Sequence, residues 1–309
     1  AEFRCESFDP SDEAGVARLE KQYRLPPPDQ VHHYEGVFNA CLEAGEAGSA
    51  DAAYRLGVMY FVGIGTERSL RRALVWLHRA EKRGSADAAF MLAVFYLQGI
   101  GVKQNDERAR ILFLKAALAG IANAQTHMGH YYSEEGPGQD LGEAYRWYRA
   151  AAEQGRSIAQ VELGRMYRDG RGIARNAEEA FRWFLRAARA GNPYAQLQVA
   201  IAYWWGDGVA VDRKASLNWA FRGAKQGDAR CQYLIGELFS QQEAPELQIF
   251  GYAWLHRAAS AGFADAVRRR AELEQHLRIE YVAAGLWLAH RLLPGEDIGA
   301  VDEPLMRDR

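Results

Sequence analysis

Two histidines and a glutamate in the middle of the chain have the spacing of a metal site. His127 and His130 lie three residues apart, and Glu134 follows four residues later, so a helix would place all three on one face. Imidazole and carboxylate groups at such spacing can share a metal ion. The pattern occurs once and no further ligand accompanies it, whereas the adjacent His32 and His33 do not share a helix face. We therefore predict that the protein holds no metal and no other cofactor.

The remaining reactive side chains do not combine into a catalytic arrangement. Cys5, Cys41 and Cys231 are far apart and lack the two-residue spacing of zinc and redox sites. Because Cys41 and Cys231 lie within apolar helical patterns, we expect small core residues there, which favours a reducing compartment. No Ser/His/Asp or Cys/His arrangement and no pair of carboxylates stands at a usable spacing. The sequence therefore predicts no catalytic residues, and an enzyme is the less favoured alternative.

The composition predicts a folded chain without a strong electrostatic preference for its partners. Hydrophobic residues make up 49% of the 309 residues, enough for a continuous core. A formal net charge of -2 gives no general attraction to nucleic acid or to an anionic membrane. No apolar run reaches the roughly 20 residues of a transmembrane helix, and the first residues contain no hydrophobic leader. We expect a cytoplasmic protein, with the periplasm as the alternative if a signal peptide has been removed.

One sequence pattern recurs along most of the chain at intervals of 35 or 36 residues. Each unit contains two stretches with helical periodicity, separated by a pair of glycines and closed by another glycine. The closing glycines are Gly84, Gly120, Gly155, Gly191, Gly227 and Gly262. Such a period predicts a solenoid in which each unit packs against its neighbours.

Each unit is predicted to form a helical hairpin. The first helix carries a Leu-Gly or Leu-Ala pair followed by Tyr, as in Leu163, Gly164 and Tyr167, so that Leu and Tyr share an apolar stripe. The second helix carries a tryptophan and a small residue four positions later, as in Trp183 and Ala187, which favours interdigitated packing. The paired glycines between them, with Gly136-Pro137-Gly138 in the third unit, indicate turns rather than a phosphate-binding loop, because no Lys-Ser/Thr follows them.

The recurring pattern A-x-x-x-L-G-x-x-Y-x-x-G-x-G…A-x-x-W-x-x-x-A-A-x-x-G resembles the Sel-1-like repeat, a relative of the tetratricopeptide repeat. The resemblance implies an all-α, right-handed superhelical solenoid of antiparallel helix pairs. It also implies an adaptor or scaffold role, often in bacterial signalling, secretion or host interaction. The disulfide in each repeat of the cysteine-rich bacterial branch is not expected, because those cysteines are lacking here. The predicted organisation is a degenerate N-terminal cap at 1–48, repeats at 49–84, 85–120, 121–155, 156–191, 192–227 and 228–262, capping helices at 263–293 and a loose tail at 294–309.

By analogy with tetratricopeptide arrays, the first helices line the concave face, and the positions beside the Leu-Gly and Tyr motif are free to bind a partner. The partner-binding residues predicted there are Tyr54, Phe61, Phe90, Arg165, Arg168, Tyr194, Trp204, Trp205, Tyr233 and Glu237. Aromatic residues beside charged ones are typical of binding hot spots. Trp204 and Trp205 point about 100° apart on a helix, so at least one indole is expected to be exposed, with a slight preference for Trp205.

The leading functional hypothesis is a non-catalytic scaffold that binds a protein or peptide on this concave face. The alternative is a periplasmic assembly factor for polysaccharide or peptidoglycan machinery, or for secretion. Neither nucleic acid nor membrane insertion is expected, and a monomer or weak homodimer fits an apolar inner face. The run Arg268-Arg269-Arg270 is interpreted as a solvated face of the cap, with a basic docking patch as the alternative.

Overall fold

The computed structural model describes residues 28–292, and within that range fifteen α-helices follow one another with short connections. The chain divides between Gln139 and Asp140 into two compact units. In the first unit the described helices are α1 (Pro28–Glu46), α2 (Ala50–Val62), α3 (Leu70–Lys82), α4 (Ala86–Gln98), α5 (Asp106–Leu118) and α6 (Ala122–Ser133). Each of these helices packs against the next one along the chain, so the all-helical, sequentially paired fold is confirmed within this unit.

The second unit repeats the arrangement. Its described helices are α7 (Leu141–Glu153), α8 (Ser157–Asp169), α9 (Ala177–Arg189), α10 (Pro193–Trp205), α11 (Arg213–Lys225), α12 (Ala229–Ser240), α13 (Pro245–Ser260), α14 (Ala264–Glu274) and α15 (Ile279–Arg291). Sequential neighbours pack together as far as α14, and α15 packs back on α13. The even-numbered helices from α2 to α12 are the first helices of their repeats, and the odd-numbered ones from α3 to α13 are the second helices.

Side-chain caps and left-handed glycines set the ends of most helices. At the second helices, side-chain oxygens of Ser69, Asn105, Asp140, Asn176 and Asp212 accept backbone N–H groups of the first turn. At the ends of first helices, Gly63 (φ 90°), Gly99 (φ 72°), Gly170 (φ 70°) and Gly206 (φ 78°) adopt the left-handed conformation. The loop then returns to start the second helix, where for example the Ser69 N–H donates to the Tyr60 carbonyl at 2.8 Å.

The third repeat departs from this turn. Helix α6 ends at Glu134 in an extended conformation, and Gly136 follows with a φ of 155°. The prediction that Gly136-Pro137-Gly138 forms an equivalent glycine turn is therefore wrong. Glu134 occupies the place that Gly170 has in the next repeat, six residues before the capping aspartate or asparagine, and the glycines are shifted towards the second helix.

The predicted apolar stripes form the core, and small residues allow the helices to approach. A Cβ added to Gly57 in α2 would lie 2.7 Å from the side chain of Leu77 in α3, so a larger residue would separate the two helices. Among the repeated tryptophans of the second helices, Trp76, Trp183 and Trp254 are buried. Trp147 and Trp219 are half-buried.

The ends of the described region differ in detail from the predictions. The predicted N-terminal cap at 1–48 is described only from Pro28, where α1 begins, and the predicted tail at 294–309 lies outside the described residues. Cys231 is a free, buried thiol. Cys41 is fully buried in the core, as predicted, but it is disulfide-bonded rather than a free thiol.

Candidate functional site

In the first unit, one of the three predicted partner-binding residues is not accessible. Tyr54 is only 8% exposed, which contradicts the prediction that it lines an open face, and Val58, one helical turn later, is fully buried. The equivalent positions of later repeats, Thr126, Val161 and Leu197, are buried as well, so this position belongs to the packing between the helices of the repeat. Phe61 is half-buried against Phe95, with ring centroids 5.0 Å apart.

The histidines that suggested a metal site lie against aromatic rings. The His127 ring stacks on Phe113 with centroids 4.3 Å apart and an interplanar angle of 17°, and the half-buried Phe90 lies 6.1 Å from His127. Within residues 28–292, no group of three or more His, Cys, Asp and Glu residues is arranged to hold a metal ion. His127, His130 and Glu134 instead line an open cavity of about 400 Å³.

In the second unit, the structure gathers three of the predicted residues into one cluster. Arg168 of α8 donates to both carboxylate oxygens of Asp169, at 2.8 and 3.0 Å, and to Gln198 Oε1 of α10 at 2.8 Å. The same guanidinium lies 3.5 Å from the hydroxyl of Tyr194 in α10. The hydrogen bond to Asp169 raises the pKa of Arg168, and in return lowers the pKa of Asp169. Arg168 is thus held in place by neighbouring helices.

Two further arginines face the ring of Tyr194. The guanidinium carbon of Arg165 lies 5.0 Å from the ring centroid, and that of Arg230, at the start of α12, lies 5.2 Å from it. Arg165 is paired with Glu162 at 3.0 Å, and Arg230 with Asp228 at 2.6 Å. We call Arg165, Arg168, Tyr194, Gln198 and Arg230 the arginine–tyrosine cluster.

Sequence reasoning missed Gln198 and Arg230, although the repeat contained a signal for both. Gln198 follows Tyr194 by one helical turn, and Arg230 stands 36 residues after Tyr194, at the same place in the next first helix. Because equivalent positions of consecutive repeats are neighbours in a solenoid, this register would have brought them together.

The two adjacent tryptophans at the end of α10 have different surroundings. Trp205 is 75% exposed, which confirms the preference for this indole as the accessible one. Trp204 is half-buried, and the guanidinium of Arg213 lies 5.1 Å from its ring centroid. Because Trp is enriched among the residues that dominate binding energy, the exposed Trp205 is a candidate anchor for a partner.

The last two predicted residues are engaged by the C-terminal cap. Tyr233 packs on Phe263 with centroids 5.3 Å apart, and burial raises the pKa of Tyr233. Glu237 pairs with Arg269 of α14 at 3.1 Å. Tyr233 and Glu237 therefore stabilise the position of α14 and border the candidate surface.

The basic run of the cap is internally paired. Arg268 pairs with Asp265, Arg269 also with Glu272, and Arg270 with Glu274. This arrangement supports the solvated-face interpretation of residues 268–270 over the docking patch.

The comparisons with known proteins agree with this architecture. The sequence profile of the Sel1 repeat matches 50–85, 86–121, 122–155, 157–192, 193–228 and 229–263, together more than half of the chain. A Sel1 repeat protein from Oxalobacter formigenes is 27% identical and superposes with a TM-score of 0.61 over 79% of this chain and 96% of its own. The protein c5321, a protective antigen present in uropathogenic Escherichia coli strains with an SLR fold, is 26% identical, with a TM-score of 0.53 over 87% of this chain and 68% of its own. The curated proteins compared with this chain include no similar sequence.

Proposed function

The chain belongs to the Sel1 repeat family, and on that premise we propose that it is a non-catalytic scaffold that binds a protein or peptide partner through the first helices of its second unit. Neither a nucleic acid nor a membrane is its target. Among residues 28–292, no helix combines the length and the apolar composition that a bilayer crossing needs. The isolated chain is proposed to be a monomer or a weak homodimer.

The arginine–tyrosine cluster is the observation that carries this proposal. Its arginines are partly exposed, with 45% of the Arg165 side chain and 32% of the Arg168 side chain accessible. They are already ordered by carboxylates and by Tyr194, so little conformational entropy remains to be lost when a partner binds. Arg and Tyr are enriched among residues that dominate binding energy, and the exposed Trp205 belongs to the same helix as Tyr194.

The test is the affinity for a partner recovered from a bacterial extract by affinity purification of the full chain. Tyr194→Ala and Trp205→Ala are each expected to weaken binding about thirtyfold, which corresponds to about 2 kcal/mol for an aromatic anchor. Trp287→Ala is the matched control, because Trp287 is also an exposed indole, at 61%, but lies on the C-terminal helix α15. Each variant must keep the helical circular dichroism spectrum of the wild type.

The proposal fails if Tyr194→Ala and Trp205→Ala keep full affinity while Trp287→Ala abolishes binding. The partner would then contact the C-terminal cap rather than the first helices.

The disulfide of Cys41 favours the alternative location over the cytoplasm. Disulfides persist in oxidising compartments and are rare in the bacterial cytoplasm. We therefore propose a periplasmic or other extracytoplasmic scaffold, which keeps open a role in envelope or secretion assembly.

Alkylation of the denatured, unreduced protein from cells, followed by peptide mass mapping, is expected to label Cys231 and leave Cys41 unlabelled. If Cys41 and Cys231 are labelled equally, Cys41 forms no disulfide in cells, and the cytoplasm becomes the favoured location.

A further inference from the structure

A surface of the first unit, which shares no residue with the proposed partner site, forms an arginine-rich cavity. Residues of α1, the end of α2 and one face of α3 line an open cavity of about 560 Å³. Arg71, Arg72 and Arg79 line it together with the rings of Tyr60 and Trp76. We call these five residues the arginine cavity.

Two of the three guanidiniums are positioned by aromatic rings. The guanidinium carbon of Arg72 lies 5.6 Å from the centroid of Tyr60, and that of Arg79 lies 4.7 Å from the centroid of Trp76. Both rings belong to buried residues, so the surfaces that hold the arginines are fixed by the core. A guanidinium stacked on a ring keeps its in-plane N–H groups available for a carboxylate.

Within the described part of the chain, the arginines of this cavity have no carboxylate partner, a feature that they share with Arg186 and Arg222. Several other arginines of the second helices are paired. Arg110 pairs with Glu107 and Arg182 with Glu178 and Glu179, each on its own helix. Among the residues that the structure describes, none of Arg71, Arg72 and Arg79 forms an ion pair. Glu46 of α1 is the one acidic residue that lines the cavity, against three arginines.

The positions of Arg71 and Arg72 also oppose the local electrostatics of their helix. They lie in the first turn of α3, where the helix dipole disfavours positive charge, and the capping residue Ser69 is neutral. The later second helices each place a carboxylate at the cap or in the first turn, namely Asp106, Asp140, Glu178, Asp212 and Glu246. An anion bound between the arginines would supply the negative charge that α3 lacks.

We propose that the arginine cavity binds an acidic peptide segment of a protein partner. Its carboxylates would accept hydrogen bonds from the guanidiniums of Arg71, Arg72 and Arg79. An apolar side chain of the same segment would contact Leu42 and Val75, which also line the cavity, Val75 being 47% exposed. This apolar lining favours a peptide over a free phosphate, which has no use for it. Three arginines in one cavity of a chain with a net charge of -2 do not form the extended basic surface that nucleic acid requires.

The test measures binding of a short fluorescein-labelled peptide, in which glutamates flank one phenylalanine, to the full chain by fluorescence anisotropy at low salt. The variant Arg71→Gln/Arg72→Gln/Arg79→Gln is expected to weaken binding at least about tenfold, the effect of losing one charge-assisted hydrogen bond. Arg186→Gln is the matched control, since Arg186 stacks on Trp183 at 4.5 Å as Arg79 does on Trp76, but lies outside the cavity. It is expected to bind like the wild type.

Unchanged binding by the triple variant, or no binding of the acidic peptide to the wild type, would overturn the proposal. So would equal binding of a peptide with lysines in place of the glutamates. Full competition by inorganic phosphate at the concentration of the peptide would reassign the cavity to a small anion, and tighter binding of labelled duplex DNA would reassign it to nucleic acid.

Because this surface shares no residue with the arginine–tyrosine cluster, the failure of either proposal leaves the other intact.

Discussion

Arginine side chains stack on aromatic rings in both units, and their acidic neighbours divide them into two kinds. Arg165, Arg168 and Arg230 each have a carboxylate beside them, so their charges are balanced before any partner arrives. Arg72 and Arg79 have only the aromatic ring. The first kind favours a partner that adds aromatic and polar contacts, whereas the second kind favours a partner that brings negative charge.

At the residue scale, the first prediction concerns the repeated tryptophans. Trp183 is only 8% exposed, so Trp183→Ala is expected to lower the free energy of unfolding by about 3–5 kcal/mol. Trp287→Ala removes an equally large but mainly exposed ring and should change it by about 0.5 kcal/mol or less. Urea denaturation followed by circular dichroism measures both. Equal effects of the two substitutions would show that Trp183 is not a core residue of its repeat.

A second prediction follows from the lowered pKa of Asp169. Because the hydrogen bonds from Arg168 lower this pKa in the folded state, the ionised carboxylate stabilises the fold fully above the ordinary aspartate pKa of 3.8. This stabilisation is lost as the pH falls through the folded pKa, when the carboxylate takes up a proton. The wild type is therefore expected to be more stable than Asp169→Asn at neutral pH, and the difference should shrink below about pH 4. Chemical denaturation across that range provides the measurement, and a pH-independent difference would contradict the assignment.

At the scale of the element, the repeat makes the helices similar and leaves α3 with an unfavourable first turn. Arg71→Glu would place a carboxylate where α5 has Glu107, and is expected to raise the free energy of unfolding by about 0.3–1 kcal/mol at low salt. The gain should fade at high salt, because the helix dipole is screened. Thermal unfolding at two salt concentrations tests this. If Arg71→Glu stabilises the protein and also weakens binding of the acidic peptide, the arginine serves the cavity at a cost to the stability of α3. If Arg71→Glu lowers the free energy of unfolding, the helix-dipole argument is wrong.

At the scale of the whole molecule, the connection between α6 and α7 marks the division into two units. All its residues from Glu134 to Asp140 are exposed, and Glu134 replaces the left-handed glycine that ends α2, α4, α8 and α10. The corresponding turn of the first repeat holds the buried Ile64, whose N–H donates to Met59. Within residues 28–292, a glutamate-specific protease at limiting concentration is therefore expected to cut first after Glu134 or Glu135. Mass spectrometry of the fragments identifies the site, and an earlier cut after Glu67 in the first-repeat turn would contradict this prediction.

Sequence alone determined the features that depend on local chemistry and on the period. The recurrence of glycine every 35 or 36 residues, with Leu-Gly-Tyr stripes and capping residues, specified helix pairs because each signal acts within a few residues of its helix end. Arg165, Arg168 and Tyr194 were also among the ten predicted partner-binding residues, since the repeat separates core positions from variable ones, although their contact was not predicted.

Only the tertiary structure decided which of those variable positions are accessible and what they contact. Tyr54 is buried in the packing between helices, and Glu237 is paired because Arg269 reaches it from α14. The periodicity of a single helix predicts neither of these features. The buried Gln125, Gln160, Gln196 and Gln232 each donate to a carbonyl near the end of the preceding second helix, a role that their sequence positions did not reveal. The arginine cavity likewise exists only where α1, α2 and α3 meet. Burial and pairing are properties of several helices at once, so they depend on packing between elements that the pattern of any single repeat does not specify.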